Sequence, residues 1–188
     1  MEASLNRRRE PPLPEPPPPG PAGVSAEDLY EAHFAFVWRS LRALGVPVLT
    51  LDDAVQEVFL VALRRSADFE GRSSAKTWLF GIALRVASNV RRSIRRRPQH
   101  DELPGSFPSE APSPEQSAAN AEDVLFVERF LAGVDEDQRA AFIACTLEEL
   151  SVREAAEALG VNANTLTSRL RLVRAKFQAA LAERGVKR

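Results

Sequence analysis

The positions of the prolines constrain this chain more than any other feature of its sequence. Eight of its 14 prolines lie between Pro11 and Pro21, five lie between Pro98 and Pro114, and the last is Pro47. Proline lacks the backbone donor and clashes with the preceding turn, so such runs are excluded from helix and sheet interiors. We therefore predict a disordered or polyproline II tail over 1–23 and a flexible acidic linker over 98–122. They would leave two folding units, at 24–97 and 123–188.

Helical periodicity dominates both units. Apolar residues recur every three or four positions, as at Leu29, Phe36, Val37 and Leu41, and no segment keeps the period-two alternation of a strand. The predicted fold class is all-α, with two small helical modules joined by a flexible linker. No apolar run approaches the roughly 20 residues that span a bilayer, so no membrane insertion is expected.

The net charge of −1 hides a strong segregation of charge along the chain. Basic residues greatly outnumber acidic ones over 64–97, no lysine or arginine occurs over 98–123, and the chain is basic again from Ala163. Two basic blocks separated by an acidic spacer indicate two surfaces for a polyanion. Solvated helix faces are the alternative, but such faces usually mix both signs.

Cysteine and signal content point to the cytoplasm. The single cysteine, Cys145, allows no internal disulfide, which favours a reducing compartment. The N-terminus is basic but has no apolar stretch after it, so it is not a secretory signal.

The sequence also has no metal-ligand cluster, phosphate-binding glycine loop or nucleophile with a nearby histidine. We expect no cofactor, no metal and no enzymatic activity.

One predicted helix of the first unit, beginning at Thr50 or Asp52, carries two stripes. Its apolar stripe consists of Val55, Val58, Phe59, Ala62 and Leu63. A second, more polar stripe on a different face consists of Asp53, Gln56, Glu57 and Leu60. That second face either docks a partner or is simply exposed to solvent.

The second unit contains the pattern of a helix-turn-helix. Ser151 and Glu154 fit a capping box, Ala155 and Ala156 permit a close helix crossing, and Gly160 suits a left-handed turn. Asn162 would cap the next helix, whose inner face would be Leu166, Leu170, Val173 and Phe177. Its outer face offers small polar and basic groups: Asn164, Thr167, Ser168 and Arg171, flanked by Arg169 and Arg174. Such groups suit base edges and phosphates in a major groove, whereas the alternative is an ordinary helical hairpin.

Three motifs in this order resemble the group IV, or extracytoplasmic function, sigma factors of bacterial RNA polymerase. They are DDAVQEVF at 52–59, FEGRSSAKTWLFGIA at 69–83, and LSVREAAEALGV at 150–161 followed by TLTSRL at 165–170. The resemblance covers Ser25 to Arg184, everything except the proline-rich tail. It implies region 2 of such a factor at 24–97 and region 4 at 123–188.

The resemblance also implies a role for each candidate residue. Core polymerase would be bound by Asp53, Gln56, Glu57 and Leu60. The −10 promoter element would be bound by Phe69, Lys76, Arg85, Asn89 and Arg92, with Phe69 lining the pocket for a flipped base. The −35 element would be bound by Asn164, Thr165, Thr167, Ser168, Arg169, Arg171 and Arg174.

Three positions depart from the family's usual residues. Arg85 stands where asparagine is frequent, Thr167 where a basic residue is frequent, and Gly81 where arginine is frequent. These departures affect which promoter sequence is preferred and do not disturb the helical scaffold.

The partners implied are core RNA polymerase, promoter DNA and an anti-sigma factor. The function implied is promoter recognition and melting for transcription initiation. The alternatives are a stand-alone helix-turn-helix regulator, an enzyme, or an adaptor that only binds other proteins. The region 2 pattern argues against the first alternative, and two separate basic surfaces argue against the last.

Overall fold

The computed structural model describes residues 26–65, 73–96 and 114–185, and it contains only helices and turns in these ranges. The predicted all-α fold with two helical modules is confirmed. The helices are α1 (Ala26–Ala43), α2 (Leu51–Arg65), α3 (Ala75–Arg96), α4 (Pro114–Gly133), α5 (Glu136–Phe142), α6 (Val152–Leu159) and α7 (Ala163–Glu183). None of the described helices is long and apolar enough to cross a membrane. The predicted tail at 1–23 lies outside the described residues.

Helices α1, α2 and α3 form the N-terminal module. Gly45, with φ of 87°, ends the first helix, and a 3₁₀ turn over Val48–Thr50 leads into α2. The N-terminus of α3 is capped by Ser74, whose Oγ accepts the backbone N–H of Thr77 at 3.1 Å. The largest fully buried side chains here include Trp78 and Phe80. Full burial of side chains this large stabilises the module by roughly 2–3 kcal/mol each.

The apolar stripe of α2 is confirmed except at its end. Val55, Val58 and Ala62 are buried and Phe59 is half-buried, but Leu63 is 51% exposed. Eight residues at about 100° each leave Leu63 about 80° around the helix from Val55, at the edge of the packed face. The sequence pattern therefore extended the core by one residue too many.

Helices α4 to α7 form the C-terminal module around an aromatic cluster. Phe177 of α7 lies 4.9 Å from Phe130 of α4 and 5.0 Å from Phe142 of α5, measured between ring centroids. Tilted and edge-to-face rings at these distances attract each other beyond their burial of apolar area. The cluster fixes α7 against the two helices that precede the helix-turn-helix.

The predicted linker at 98–122 is wrong in its last part, because α4 already begins at Pro114. Proline suits the first position of a helix, where its fixed φ is helical and no N–H is needed. Pro114 therefore starts a helix, whereas the proline content of the segment had indicated an irregular chain. The remainder of the predicted linker, 98–113, lies outside the described residues.

The chain between α5 and α6 departs from regular geometry. Ile143–Leu147 forms a π-helical turn, and Glu149 then has a φ of 58°, which is rare for a residue other than glycine. The intervening Glu148 is only 4% exposed. This turn faces the N-terminal module, and buried residues of both modules belong to one continuous apolar cluster.

Candidate nucleic-acid interface

The helix-turn-helix is built by the local signals that the sequence carries. Ser151 Oγ accepts the Glu154 N–H at 3.2 Å, and the Glu154 carboxylate accepts the Ser151 N–H at 3.0 Å. Gly160 is left-handed, with φ of 65°. Asn162 Oδ1 accepts the Thr165 N–H at 2.8 Å and so caps α7. The capping box, the glycine turn and the second cap are all present as predicted.

The charge of Glu154 is stabilised within this capping box. Hydrogen bonds from the Ser151 hydroxyl, at 2.6 Å, and then from the Ser151 backbone lower the pKa of the Glu154 carboxyl. Donors to a carboxylate favour its charged form. The box therefore remains fully formed at neutral pH and weakens only in acid.

Helix α7 has a buried inner face and an exposed outer face. Leu166, Leu170 and Val173 are buried against α5 and α6. Most of the predicted −35 residues are exposed, and none of the exposed ones contributes to the core: Asn164, Thr167, Ser168, Arg171 and Arg174. Thr165 is half-buried beside the cap, and Thr167 Oγ1 donates to the Ala163 carbonyl at 2.8 Å.

Arg169 differs from the other predicted −35 residues. It is half-buried and forms an ion pair with Asp137 of α5, within its own module. This pair holds the guanidinium beside a cleft of about 500 Å³ between the two modules. In this conformation Arg169 therefore helps to position α7 on α5.

The polar stripe of α2 forms a separate surface. Asp53, Gln56, Glu57 and Leu60 are all exposed, whereas Val55 on the opposite side is buried. Leu60 is 39% exposed, which leaves an apolar contact point beside the two carboxylates. An exposed leucine beside two carboxylates suits a protein partner better than a nucleic acid, because the carboxylates would repel the phosphates.

Some of the predicted −10 residues on α3 are exposed, and others face the C-terminal module. Asn89 and Arg92 are exposed and line one shallow pocket together with Arg96. Arg85 is half-buried and lines the cleft between the modules. Lys76 is half-buried and donates to the Glu148 carbonyl of the C-terminal module at 2.7 Å. Phe69 lies outside the described residues.

A groove of about 440 Å³ runs between α2 and α3 and connects two of the candidate surfaces. Asp53 and Glu57 lie on one side of it, and Arg85 and Asn89 on the other. The structure thus brings the predicted polymerase-binding and −10 residues to neighbouring surfaces of one module. It puts the predicted −35 residues on the other module.

The ion pairs between the modules were not predictable from the sequence. Arg42 of α1 pairs with Glu128 of α4 at 2.6 Å, and Arg91 of α3 pairs with Glu136 of α5. The partners are distant in the sequence, so only the fold identifies them. The segregation of charge along the chain is a signal for them, but it does not specify which residues pair.

Comparison with known proteins agrees with this architecture. Residues 23–97 match the family model for Sigma-70 region 2, and residues 127–177 match that for Sigma-70, region 4. The chain is 34% identical over 148 residues to the probable RNA polymerase sigma-C factor of Mycobacterium bovis, covering 79% of this chain and 78% of that protein.

Two solved structures are similar in fold. One is CnrH in complex with the cytosolic domain of CnrY, with a TM-score of 0.64, 23% identity, and coverage of 84% of this chain and 88% of that one. The other is the sigma factor RpoE with the anti-sigma factor NepR from Bartonella quintana, with a TM-score of 0.62, 24% identity, and coverage of 81% and 96%.

Proposed function

Because this chain belongs to the extracytoplasmic function sigma factors of the sigma-70 family, we propose that separate exposed faces of it bind core polymerase, the −10 element and the −35 element. As an RNA polymerase sigma factor it acts in transcription initiation. Its region 2 would comprise 24–97, and its region 4 would comprise the helices from α4 onwards. The following residue roles belong to the proposal.

Core polymerase docks on the polar stripe of α2, formed by Asp53, Gln56, Glu57 and Leu60. The observation that carries this assignment is that all four are exposed on one face while the opposite face is packed. Two carboxylates beside an exposed leucine offer both charge complementarity and an apolar anchor.

Promoter DNA contacts two further surfaces. Unpaired −10 bases would be held by Phe69, Lys76, Arg85, Asn89 and Arg92, because stacking and phosphate neutralisation are what single strands offer. Capture of unpaired bases offsets the cost of unstacking them, a few kcal/mol per base. No catalytic step is needed, so we propose that the chain is not an enzyme.

The −35 element would lie against the outer face of α7, formed by Asn164, Thr165, Thr167, Ser168, Arg169, Arg171 and Arg174. Small polar groups near the helix N-terminus suit base edges, and the arginines suit phosphates.

Because polymerase and promoter lie in the bacterial cytoplasm, we propose that the protein is located there. An anti-sigma factor is a further proposed partner, supported by the fold shared with a sigma factor solved in complex with one.

The polymerase-docking proposal is tested by binding of fluorescently labelled full-length protein to purified core RNA polymerase. Replacing Asp53, Gln56 and Glu57 with alanine removes three contacts at about 1 kcal/mol or more each, so we expect affinity to fall at least tenfold. Surface changes of this kind alter stability by about 0.5 kcal/mol or less, so circular dichroism should report unchanged helicity.

Asp52→Ala is the matched control for Asp53→Ala. Both residues are exposed acids in the first turn of α2, so both lose the same favourable interaction with the helix dipole. Asp52, however, lies just outside the polar stripe, about 100° around the helix from Asp53 and about 40° from Gln56. Equal polymerase affinity of the two single variants and the triple variant would count against this docking face.

A further inference from the structure

An exposed aromatic surface lies on α1 and α2, and none of the contacts proposed above uses it. Tyr30 and Phe34, one turn apart on α1, are 45% and 37% exposed. The Tyr30 ring lies 5.2 Å from that of Phe34 and 4.8 Å from that of the half-buried Phe59 of α2, measured between centroids. Leu63, one turn after Phe59, is 51% exposed. These four residues form the α1–α2 patch.

The patch lies close to the start of α1, where the N-terminal segment joins the folded module. Helix α1 begins at Ala26, and Tyr30 follows about 6 Å further along the helix axis. The N-terminal segment contains four consecutive prolines at 16–19, the proline run, which lies outside the described residues. Residues 20–25 connect the run to α1, and an extended chain of this length reaches about 20 Å. The proline run is therefore tethered within reach of the patch.

The chemistry of the proline run matches that of the patch. Proline-rich segments favour the polyproline II conformation, and they dock on surfaces lined by aromatic side chains at little cost in conformational entropy. Four residues in this conformation span about 12 Å. This length is enough to cross three rings whose neighbouring centroids are 5.2 Å and 4.8 Å apart.

The small size of the patch favours a tethered occupant over a second copy of the chain. At up to about 250 Å² per side chain, the exposed parts of Tyr30, Phe34 and Leu63 amount to roughly 300 Å². A stable complex of two separate proteins buries about 800 Å² on each partner. A tethered segment needs much less area, because a short tether gives an effective concentration in the millimolar range.

We propose that the α1–α2 patch is a docking site for a polyproline II segment and that its occupant is the proline run of the same chain. The docked run borders the polar stripe of α2, because Gln56 lies about 20° around the helix from Leu63. The carboxylates of Asp53 and Glu57 lie further round the helix and stay uncovered. The inference goes beyond the proposed contacts with polymerase and promoter, and it does not depend on them.

The first test observes Tyr30 directly by ¹⁹F NMR of the full chain. Tyr30 is the single tyrosine, so 3-fluorotyrosine incorporated biosynthetically reports on the patch alone. Replacing the proline run with serines should move this resonance, because the prolines no longer contact the ring. The matched control replaces with serine the same number of prolines from the second proline-rich segment: Pro98, Pro104, Pro108 and Pro112. It should leave the resonance in place.

A double-variant comparison tests whether the effect runs through the patch. In a Phe34→Ala background, replacing the proline run should no longer move the Tyr30 resonance, because one of the docking rings is gone. Leu172→Ala is the control background, since Leu172 is an apolar residue of α7 that is 50% exposed. The effect of the prolines should persist there. An effect of equal size in both backgrounds, with native helicity, would overturn the proposal.

A peptide titration needs no change in the patch, so it remains decisive if Phe34→Ala fails to fold. A synthetic peptide of residues 7–21 is added to the wild type and to the variant whose proline run is serine. If the run is docked about nine-tenths of the time, the wild type should need roughly tenfold more peptide for half-saturation of the Tyr30 shift. Equal half-saturation, or no response to the peptide, would contradict self-docking.

The same measurements separate the other possible occupants. An effect of the proline run that appears only as the protein concentration rises would mean that the run binds a second copy, and self-docking would be wrong. An unmoved Tyr30 resonance, together with weaker binding of Phe34→Ala to core polymerase, would assign the patch to the polymerase interface and overturn the proposal. The NMR readouts contain no polymerase, so their failure is distinct from a failure of the polymerase-docking proposal.

Discussion

Removing the helix cap at Ser151 should destabilise the helix-turn-helix by a predictable amount. Ser151→Ala deletes the acceptor of the Glu154 N–H at 3.2 Å and the hydroxyl that donates to the Glu154 carboxylate at 2.6 Å. The reciprocal bond from the Ser151 N–H at 3.0 Å remains, because it belongs to the backbone. Loss of a serine N-cap costs about 1 kcal/mol, within a range of about 0.5–2 kcal/mol.

The assay is urea unfolding followed by circular dichroism at 222 nm, at pH 7 and again in acid. The Glu154 carboxyl has a lowered pKa, so its contribution is present above its unfolded pKa and is lost as the pH falls through its folded pKa. Ser151→Ala removes the largest cause of that shift, so the variant should lose less stability than the wild type on acidification.

Ser93→Ala is the control for the chemistry of the substitution. Ser93 is exposed in the interior of α3, where alanine is the better helix former, so the expected change is zero or slightly stabilising. Equal unfolding midpoints for Ser151→Ala and the wild type would refute the reasoning that this box stabilises the helix-turn-helix.

Three other predictions concern the core, the half-buried His33 and the exposed face of α7. Leu166→Ala, at a fully buried position of α7, should cost about 2–5 kcal/mol in the free energy of unfolding; a loss below 1 kcal/mol would contradict the packing described. Burial, and then the charge of Lys76, lower the pKa of His33, so stability should fall as the pH drops below the unfolded pKa near 6.5. His33→Gln should flatten that fall between pH 7.5 and 5.5, and an identical pH profile would exclude this cause. Arg171→Ala should reduce −35-dependent initiation by about tenfold or more, with Arg129→Ala on the exposed side of α4 as control; equal activity on promoters with and without that element would show that the Arg171 contact is absent.

Local signals account for what the sequence predicted well. The predicted caps at Ser151 and Asn162 each involve a side chain and a backbone N–H three residues later, so the pattern contains both partners. The left-handed conformation of Gly160 was predictable for the same reason, because the glycine comes directly after a short helical pattern of apolar residues. These elements define the helix-turn-helix without reference to the rest of the chain.

Contacts between distant residues account for what the sequence did not predict. Arg39 and Glu148 are separated by 109 positions, and Thr77 and Glu154 by 77. No periodicity relates such residues, so Lys76 could be predicted as a DNA ligand but not as a donor to region 4. The start of α4 at Pro114 was missed for another reason, because proline composition indicates irregular chain while a single proline also suits a first helical turn.

Transcription with purified core RNA polymerase tests the central claim most directly. The full chain is added to core enzyme with fragmented genomic DNA from its source organism, and the 5′ ends of the transcripts are mapped. The account predicts discrete start sites that depend on the added protein and share sequence elements about 10 and 35 base pairs upstream, at the two contacts expected of region 2 and region 4. Transcription no different from that of core enzyme alone, with a protein of native helicity, would contradict it.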